Sequence, residues 1–240
     1  ACAPPVFAGA GAGAMAAAAS YAPLRYLSAW FCPYAHRATI ALEHHASHVS
    51  WEWVEALGWE KRKSTDANAR SQGDEPEHEN WYHWKHPELL HHSPGGLVPT
   101  LVDEGERAVY ESLVCVKYVD ELALSRGASA ASSLLPPDPA GRALAWLHAD
   151  WANRACCSPY YKVLVRTDQA EREEAMAELV AGLEEFQGRM RGDFYLGDSL
   201  GIVDVALLPW AARFHVLEIY RGEGFEVPKR LAKYHEWLER

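Results

Sequence analysis

The chain has 240 residues and a formal net charge of −10, with 49% hydrophobic and 23% charged residues, which is ordinary for a globular protein with room for two modest domains. The acidic balance excludes broad binding of nucleic-acid phosphates, and no apolar run is long enough for stable membrane insertion. The spacing of the five cysteines fits neither a disulfide framework nor a zinc site, so we expect reduced thiols in the cytoplasm, with an organelle as the alternative.

The predicted elements begin after residues 1–22, which are low in complexity. These lack the features of a signal or transit peptide, and we expect a disordered tail or an artificial leader. The stretch LRYLSA predicts a strand, and Pro33 marks the first turn of a helix. The alternating stretch HVSWEWVEA predicts a second strand. A cysteine therefore lies at the turn between a strand and a helix.

A polar, aperiodic insertion follows at 58–84 and is longer than most loops in a compact domain. It is interpreted either as a lid over a site or as a solvated surface loop. In PTLVDEGERAVYES, two short apolar runs flank a turn and predict a hairpin. SLVCVKYVDELAL then predicts a helix. These elements make a predicted α/β domain over 23–124.

A small, polar, proline-rich stretch at 125–141 predicts a linker, and everything over 142–240 predicts helix. The predicted helical faces comprise Leu144, Leu147 and Trp151; Met176, Leu179, Val180, Leu183, Phe186 and Met190; and Val205, Leu208, Ala212, Val216 and Ile219. GDSLGIVDVALLPW predicts half of a capping box, with Gly201 as the cap and Asp204 as its return partner. The fold class is an α/β domain followed by an all-helical domain.

Cys32 lies directly before Pro33 at the predicted start of the first helix. Free N–H groups and the dipole at a helix N-terminus stabilise a thiolate, so we expect the Cys32 pKa to lie below the free-cysteine value of about 8.5. Ala35 stands where a dithiol site would have its second cysteine. A disulfide on Cys32 must then be resolved by an external thiol. A buried structural cysteine is the alternative.

Two further motifs carry candidate binding groups. In GGLVPTL, Pro99 opens a strand after a turn and is a candidate for a cis peptide bond, which would leave the main chain of Val98 free to pair with an extended ligand. In YES, Glu111 and Ser112 lie between a strand and a helix. They could hold the ammonium and carboxylate of an amino-acid head group, or they could simply cap the helix.

Taken together, these motifs resemble the glutathione transferase superfamily from about residue 24 onwards, and FCPYAHRATIALE is most similar to the omega class. The resemblance implies a thioredoxin-like N-terminal domain (βαβ-ββα) and an all-helical C-terminal domain. It implies that Cys32 forms a mixed disulfide with glutathione. It also implies that Val98, before a cis Pro99, pairs with the glutathione main chain, while Glu111 and Ser112 hold the γ-glutamyl end.

The resemblance extends to the remaining partners. Lys85 lies about where this class has a lysine that contacts the glycine carboxylate of glutathione. Candidate residues of the second-substrate pocket are aromatic: Phe31, Tyr34, Trp151, Tyr160 and Tyr161, of which the last two could instead belong to the core. Glutathione is the expected co-substrate, a small electrophile or disulfide the expected acceptor, and a homodimer the expected assembly. The histidine clusters lack a zinc pattern, and we expect no metal.

The resemblance predicts a glutathione-dependent thiol transferase or reductase, of the kind that acts on glutathionylated substrates or dehydroascorbate. Two alternatives stay open. Glutathionyl-hydroquinone reductases share a C-P-W-A-x-R motif. A non-catalytic binding protein with the same fold would use the cysteine motif without turnover.

Overall fold

The computed structural model describes residues 21–63 and 79–240. Its first half contains β1 (Leu24–Ser28), α1 (Pro33–His44), β2 (Trp51–Glu55), β3 (Leu57–Lys63), β4 (Glu79–Lys85), α2 (Pro87–His92), β5 (Thr100–Val102), β6 (Ala108–Tyr110) and α3 (Ser112–Ser125). Its second half contains a 3-10 turn (Ala130–Ser132), α4 (Pro139–Ala152), a π turn (Asn153–Cys157), α5 (Ser158–Val165), α6 (Gln169–Arg189), α7 (Ile202–Ala211), α8 (His215–Arg221) and α9 (Ala232–Leu238). Within these described ranges, no helix is both long and apolar enough to cross a bilayer.

The main sheet has the strand order β2-β1-β5-β6, with β1 and β2 parallel and the other neighbours antiparallel. Successive side chains of β1 enter different cores because strand side chains alternate between faces. Tyr26 joins the core that includes α1 and α3, whereas Leu27 joins a smaller core with Leu89 of α2. The expected thioredoxin-like domain followed by helices is confirmed.

The insertion differs from the irregular segment that the sequence predicts. β3 and β4 pair as an antiparallel hairpin from Leu57 opposite Lys85 to Lys63 opposite Glu79. They pair only with each other and form a separate two-stranded sheet. A ribbon that adds no face to the main core has little need of apolar alternation, which explains the missing period. Residues 64–78, where the rest of the predicted lid or loop falls, lie outside the described residues.

Two predicted helical faces are wrong in part. The spacing from Val205 to Ile219 crosses a break, because α7 ends at Ala211 and α8 begins at His215. The turn between them resets the buried face, and Ile219 is 69% exposed. On α4, the predicted Leu144 and Leu147 are exposed, and the buried face is instead the alanine stripe Ala145, Ala149 and Ala152.

The half capping box is confirmed. Gly201 is the N-cap of α7, and its N–H donates to Asp204 Oδ2 at 3.0 Å. Asp204 Oδ1 also accepts from the Tyr195 N–H at 2.9 Å and from Trp237 Nε1 at 2.8 Å. Burial raises the Asp204 pKa to about 6, although these three donors favour the charged carboxylate. The motif therefore joins α7 to the 191–201 loop and to α9.

A second buried carboxylate, Asp120 of α3, joins the end of α1 to the segment before α4. Asp120 Oδ1 accepts from His45 Nε2 at 2.9 Å and from the Leu134 N–H at 2.8 Å, and Oδ2 accepts from Ser133 Oγ at 2.8 Å. Burial acts to raise the Asp120 pKa, but these hydrogen bonds outweigh it and hold the pKa below its ordinary value of 3.8.

We expect Asp120→Asn to lower the free energy of unfolding by about 1.5–3 kcal/mol near neutral pH, because a charged acceptor is lost. A depressed folded-state pKa stabilises the fold above the unfolded-state pKa, and this stabilisation is lost as pH falls through the folded-state pKa. The gap between wild type and Asp120→Asn should therefore narrow below about pH 4 in urea titrations. Glu121→Gln, on the exposed neighbouring residue, is the control. A gap that stays constant down to pH 2 contradicts this account.

Candidate active site

The register of the main sheet brings three predicted site segments to one edge. Leu27 of β1 lies opposite Thr100 of β5, and Thr100 lies opposite Tyr110 of β6. Neighbouring strands of a sheet are about 4.8 Å apart. The segment that follows β1, the segment that precedes β5 and the segment that follows β6 therefore emerge side by side.

Cys32 occupies the N-cap of α1, with extended backbone angles, and is half-buried. Its own N–H donates to the Ala29 carbonyl at 3.0 Å, and its carbonyl accepts from the His36 N–H at 3.0 Å. Ala35 is buried in the first turn behind it, so that turn holds no second thiol. The other cysteines in the described part of the chain are buried. Cys32 is therefore the accessible thiol among those the structure describes.

The expectation of a low Cys32 pKa is wrong for this structure. Burial raises the pKa of the thiol above its ordinary value, and this outweighs the favourable effects of the Ala35 and Tyr34 N–H groups and the charges of Arg213 and Arg37. The helix start is placed as predicted, but the local sequence does not reveal the apolar residues that pack around Cys32 and leave it only partly exposed to water.

The main chain of Val98 is available for a ligand. The Val98–Pro99 peptide bond is cis, as predicted. Val98 itself is 8% exposed, and its N–H and C=O make no hydrogen bond to any residue that the structure describes. An extended peptide could fill both positions, as an added strand does at a sheet edge.

The side chains of Glu111 and Ser112 differ in their hydrogen bonds within the protein. Glu111 is exposed, has a φ of 68°, and its side chain makes no capping hydrogen bond, so the simple-cap alternative fails for its carboxylate. Left-handed backbone at a non-glycine residue costs free energy and concentrates at functional sites. The Ser112 hydroxyl, by contrast, accepts a hydrogen bond from Arg37 Nη1 at 3.1 Å. It keeps its own proton to donate.

Lys85 ends β4 beside the loop that leads to Val98. Its Nζ donates to the Gly95 carbonyl at 3.4 Å. A Cβ added at Gly96, which has a φ of +57°, would meet this Nζ at 2.9 Å. The ammonium thus lies against Gly95 and Gly96, in the loop that leads to Val98.

The aromatic candidates separate into two groups. The Tyr34 and Tyr161 rings are parallel with centroids 6.5 Å apart, and Tyr160 meets Tyr161 edge-on at 5.3 Å. The charge of Cys32 acts on the pKa of both Tyr34 and Tyr161, which burial raises, so this group adjoins the sulfur. Phe31 packs into the smaller core with Cys32 and meets Trp30 edge-on.

Trp151 does not join this tyrosine group. The Arg189 guanidinium carbon lies 4.3 Å from its ring centroid, at the end of α6. Its assignment to the second-substrate pocket is not supported by these contacts. Tyr160 is only 5% exposed and belongs to the main core, the alternative that the sequence left open for it. The aromatic wall beside Cys32 therefore consists of Tyr34, Tyr161 and Phe31.

Arg37, five residues after Cys32, is a residue that the sequence interpretation missed. It is 2% exposed, and Nε and Nη2 donate to the Ala206 carbonyl at 2.9 and 2.7 Å. Nη2 also donates to Asn153 Oδ1 at 2.8 Å. Burial lowers the Arg37 pKa, and no carboxylate in the described ranges pairs with it. The signal was available: an arginine lies on the same predicted helical face as Ala38, Ala41 and Leu42.

The histidines have structural partners. His45 binds the Asp120 carboxylate, and His92 lies 3.3 Å from Glu106. Over residues 21–63 and 79–240, no group of three potential ligands is placed to hold a metal ion.

The raised Cys32 pKa has a measurable consequence. We expect alkylation of Cys32 by iodoacetamide to accelerate about tenfold per pH unit from pH 7 and to show no plateau below about pH 9. Mass mapping should place the adduct on Cys32, because burial raises the pKa of Cys115 and Cys157 to about 12 and withdraws both from solvent. Cys32→Ser is the control. A plateau near pH 7 would show that the helix N-terminus dominates after all.

Comparison with known proteins shows the family to which the chain belongs. The model of the glutathione S-transferase N-terminal domain matches residues 31–122, and that of the C-terminal domain matches residues 169–240. Glutathione S-transferase U12 of Arabidopsis thaliana is 30% identical over 231 residues, covering 94% of this chain and 80% of the relative. Probable glutathione S-transferase GSTU6 of Oryza sativa is 29% identical, covering 90% of this chain and 83% of the relative.

Solved structures extend the similarity. Glutathione transferase Omega 3C from Trametes versicolor superposes with a TM-score of 0.69 at 25% identity, over 92% of this chain and 86% of that chain. Rice GST1, solved in complex with glutathione, gives a TM-score of 0.70 at 25% identity over the same shares. The family models, the relatives and the superpositions agree along most of the chain, which belongs to the glutathione S-transferase family.

Proposed function

We propose that this protein is a cysteine-type, omega-like glutathione transferase that acts as a thiol transferase. The observation that carries the proposal is the accessible Cys32 at the N-cap of α1 with Ala35 behind it. This chain is about equally similar to an omega transferase and to plant transferases, so sequence similarity does not decide the class. The class assignment therefore rests on this cysteine. A small-molecule thiol has to supply what a second cysteine would supply in a dithiol enzyme.

The reaction is a pair of thiol–disulfide exchanges. The Cys32 thiolate attacks the glutathionyl sulfur of a mixed disulfide, forms a Cys32–glutathione disulfide and releases the acceptor as a thiolate. A second glutathione thiolate then attacks the glutathionyl sulfur on Cys32. This restores the Cys32 thiolate and releases oxidised glutathione. One disulfide is consumed and one is formed, so electrons balance without a metal or a nucleotide.

Three observations support a glutathione site beside Cys32. The N–H and C=O of Val98 are free and can pair with the cysteinyl unit of glutathione. The Glu111 carboxylate makes no capping hydrogen bond and can bind the γ-glutamyl ammonium, next to the Ser112 hydroxyl. Lys85, which contacts the loop at Gly95, can bind the glycine carboxylate. Rice GST1, a neighbour in fold, binds glutathione in its own structure.

The assembly and location belong to the same proposal. We propose a homodimer by resemblance to the family, and Leu144 and Leu147 offer exposed apolar surface on α4. Buried, unbridged cysteines in the described part of the chain suit a reducing compartment such as the cytoplasm. Light scattering at micromolar concentration tests the dimer, and a monomeric mass counts against it.

We expect Cys32→Ala to reduce thiol transfer between glutathione and a model disulfide to the uncatalysed rate, because the nucleophile is removed. Incubation of wild type with oxidised glutathione should add one glutathione to Cys32, and reduced glutathione should remove it. Intact-mass analysis with peptide mapping reads both steps. Cys32→Ser should lose thiol transfer as well, yet its hydroxyl could activate the glutathione thiol for weak conjugation. Full activity in Cys32→Ala, or an adduct on another cysteine, overturns the mechanism.

A panel of acceptors separates the alternatives. Preferential turnover of glutathionyl quinones over simple glutathionyl disulfides and dehydroascorbate would establish the hydroquinone reductase. Glutathione binding without turnover of any acceptor would establish the binding protein.

We expect Glu111→Gln to weaken glutathione binding about 10- to 100-fold, because a charge-assisted hydrogen bond of about 1.5–3 kcal/mol is lost. Isothermal titration calorimetry on Cys32→Ser, which blocks disulfide formation, measures the effect. Glu104→Gln, in the exposed turn between β5 and β6, is the control. Ser112→Ala is a poorer test, since it also removes a partner of the buried Arg37. Unchanged affinity in Glu111→Gln removes this residue from the site.

A further inference from the structure

Arg213 lies in the turn between α7 and α8 and reaches across to α1. Its Nη1 donates to the Pro209 carbonyl at 2.6 Å and to His36 Nδ1 at 3.2 Å. Because arginine has no acceptor, His36 Nδ1 accepts, and the imidazole is the neutral Nε2–H tautomer. Burial and the charge of Arg213 lower the His36 pKa, in agreement with a neutral ring. The guanidinium is therefore held in one place by groups from both halves of the chain.

The Arg213 guanidinium is held close to Cys32, the proposed nucleophile. His36 follows Cys32 by four residues, and its N–H donates to the Cys32 carbonyl at 3.0 Å, so both residues lie on one face of the first turn of α1. The charge of Arg213 acts on the Cys32 thiol and also on the Tyr160 phenol, lowering the pKa of each against the opposing effect of burial. Through His36, the Arg213 guanidinium is therefore tied to the turn of α1 that Cys32 caps.

Arg213 keeps a positive charge and hydrogen-bond donors that no described residue engages. No Asp or Glu in the described ranges forms an ion pair with it, in contrast to Arg25, Arg189 and Arg230, which each pair with a carboxylate. Its Nε and Nη2 make no hydrogen bond to the described residues. It is only half-buried, so these donors remain open to solvent. A fixed guanidinium with an open pair of donors matches the fork that binds a carboxylate.

We propose that Arg213 selects the acceptor by binding an anionic group, a carboxylate on an aromatic or otherwise planar acceptor whose ring packs on Tyr34 and Tyr161. The proposal rests on the proposed function, since it concerns the group that leaves as Cys32 attacks the glutathionyl sulfur. The preferred substrates are then mixed disulfides between glutathione and a thiol that carries a carboxylate. The competing account is that Arg213 only stabilises the Cys32 thiolate and is indifferent to the acceptor.

The first test compares two reagents on Cys32 itself. Iodoacetate is anionic and iodoacetamide is neutral, and both attack the thiolate, so the ratio of their rates cancels any change in the Cys32 pKa. We expect this ratio to fall about three- to tenfold in Arg213→Gln, because a positive charge that acts on the Cys32 thiol is removed. It should be largely kept in Arg213→Lys and unchanged in Arg107→Gln, which removes a positive charge from the exposed β5–β6 turn. An unchanged ratio in Arg213→Gln overturns the proposal even if both rates fall.

The second test uses turnover. The substrates are the mixed disulfide of glutathione with 2-mercaptobenzoate and the same disulfide with the methyl ester, which keeps the ring and lacks the charge. In Arg213→Gln, kcat/KM should fall about tenfold for the carboxylate, mainly through KM, and little for the ester. An equal loss for both substrates establishes the thiolate-only account. If wild type turns over neither substrate, the proposed function fails, while the reagent ratio still decides the role of Arg213.

Discussion

The buried guanidinium of Arg37 is the interaction on which the site depends. A charge removed from water must be met by hydrogen bonds or charges, or it destabilises the fold by several kcal/mol. Here neutral groups meet it: the Ala206 carbonyl, Asn153 Oδ1 and the Ser112 hydroxyl, with the Trp210 ring 4.3 Å away. These partners come from α7, the π turn and α3. One side chain thereby fixes α1, whose first residue follows Cys32, against three other elements.

This arrangement joins Cys32, the proposed nucleophile, to the proposed head-group site at the start of α3. Ser112 stands at the start of α3 and touches Arg37, while Cys32 stands at the start of the helix that carries Arg37. The two helix starts therefore cannot move apart without breaking a buried hydrogen bond. The cis Val98–Pro99 segment lies between them in the sheet. The structure thus holds the N-termini of α1 and α3 and the Val98–Pro99 peptide at fixed spacing. The candidate reactive side chains belong to these segments.

The sequence was informative where the signal is local. Pro33 after a cysteine, Pro99 after a turn, and Asp204 three residues after a cap each predict their geometry, because the groups that interact are within a few positions of one another. The sequence interpretation failed where the interacting groups are far apart in the chain. Burial of Cys32 depends on residues from other elements, and it reverses the expected direction of the pKa shift. The roles of Arg37 and Arg213 likewise depend on hydrogen bonds to groups more than 160 positions away in the sequence.

The unpartnered main chain of Val98 has an evolutionary consequence. Recognition through N–H and C=O uses atoms that nearly every residue carries, so substitutions around the loop cannot easily delete it. The groups proposed for the acceptor side are mostly of another kind: Tyr161 and Arg213 would act through their side chains and come from the helical half. Under the proposed function, one half of the chain can keep its co-substrate unchanged while the other half varies. New acceptor preferences are then open to single substitutions that leave the chemistry at Cys32 intact.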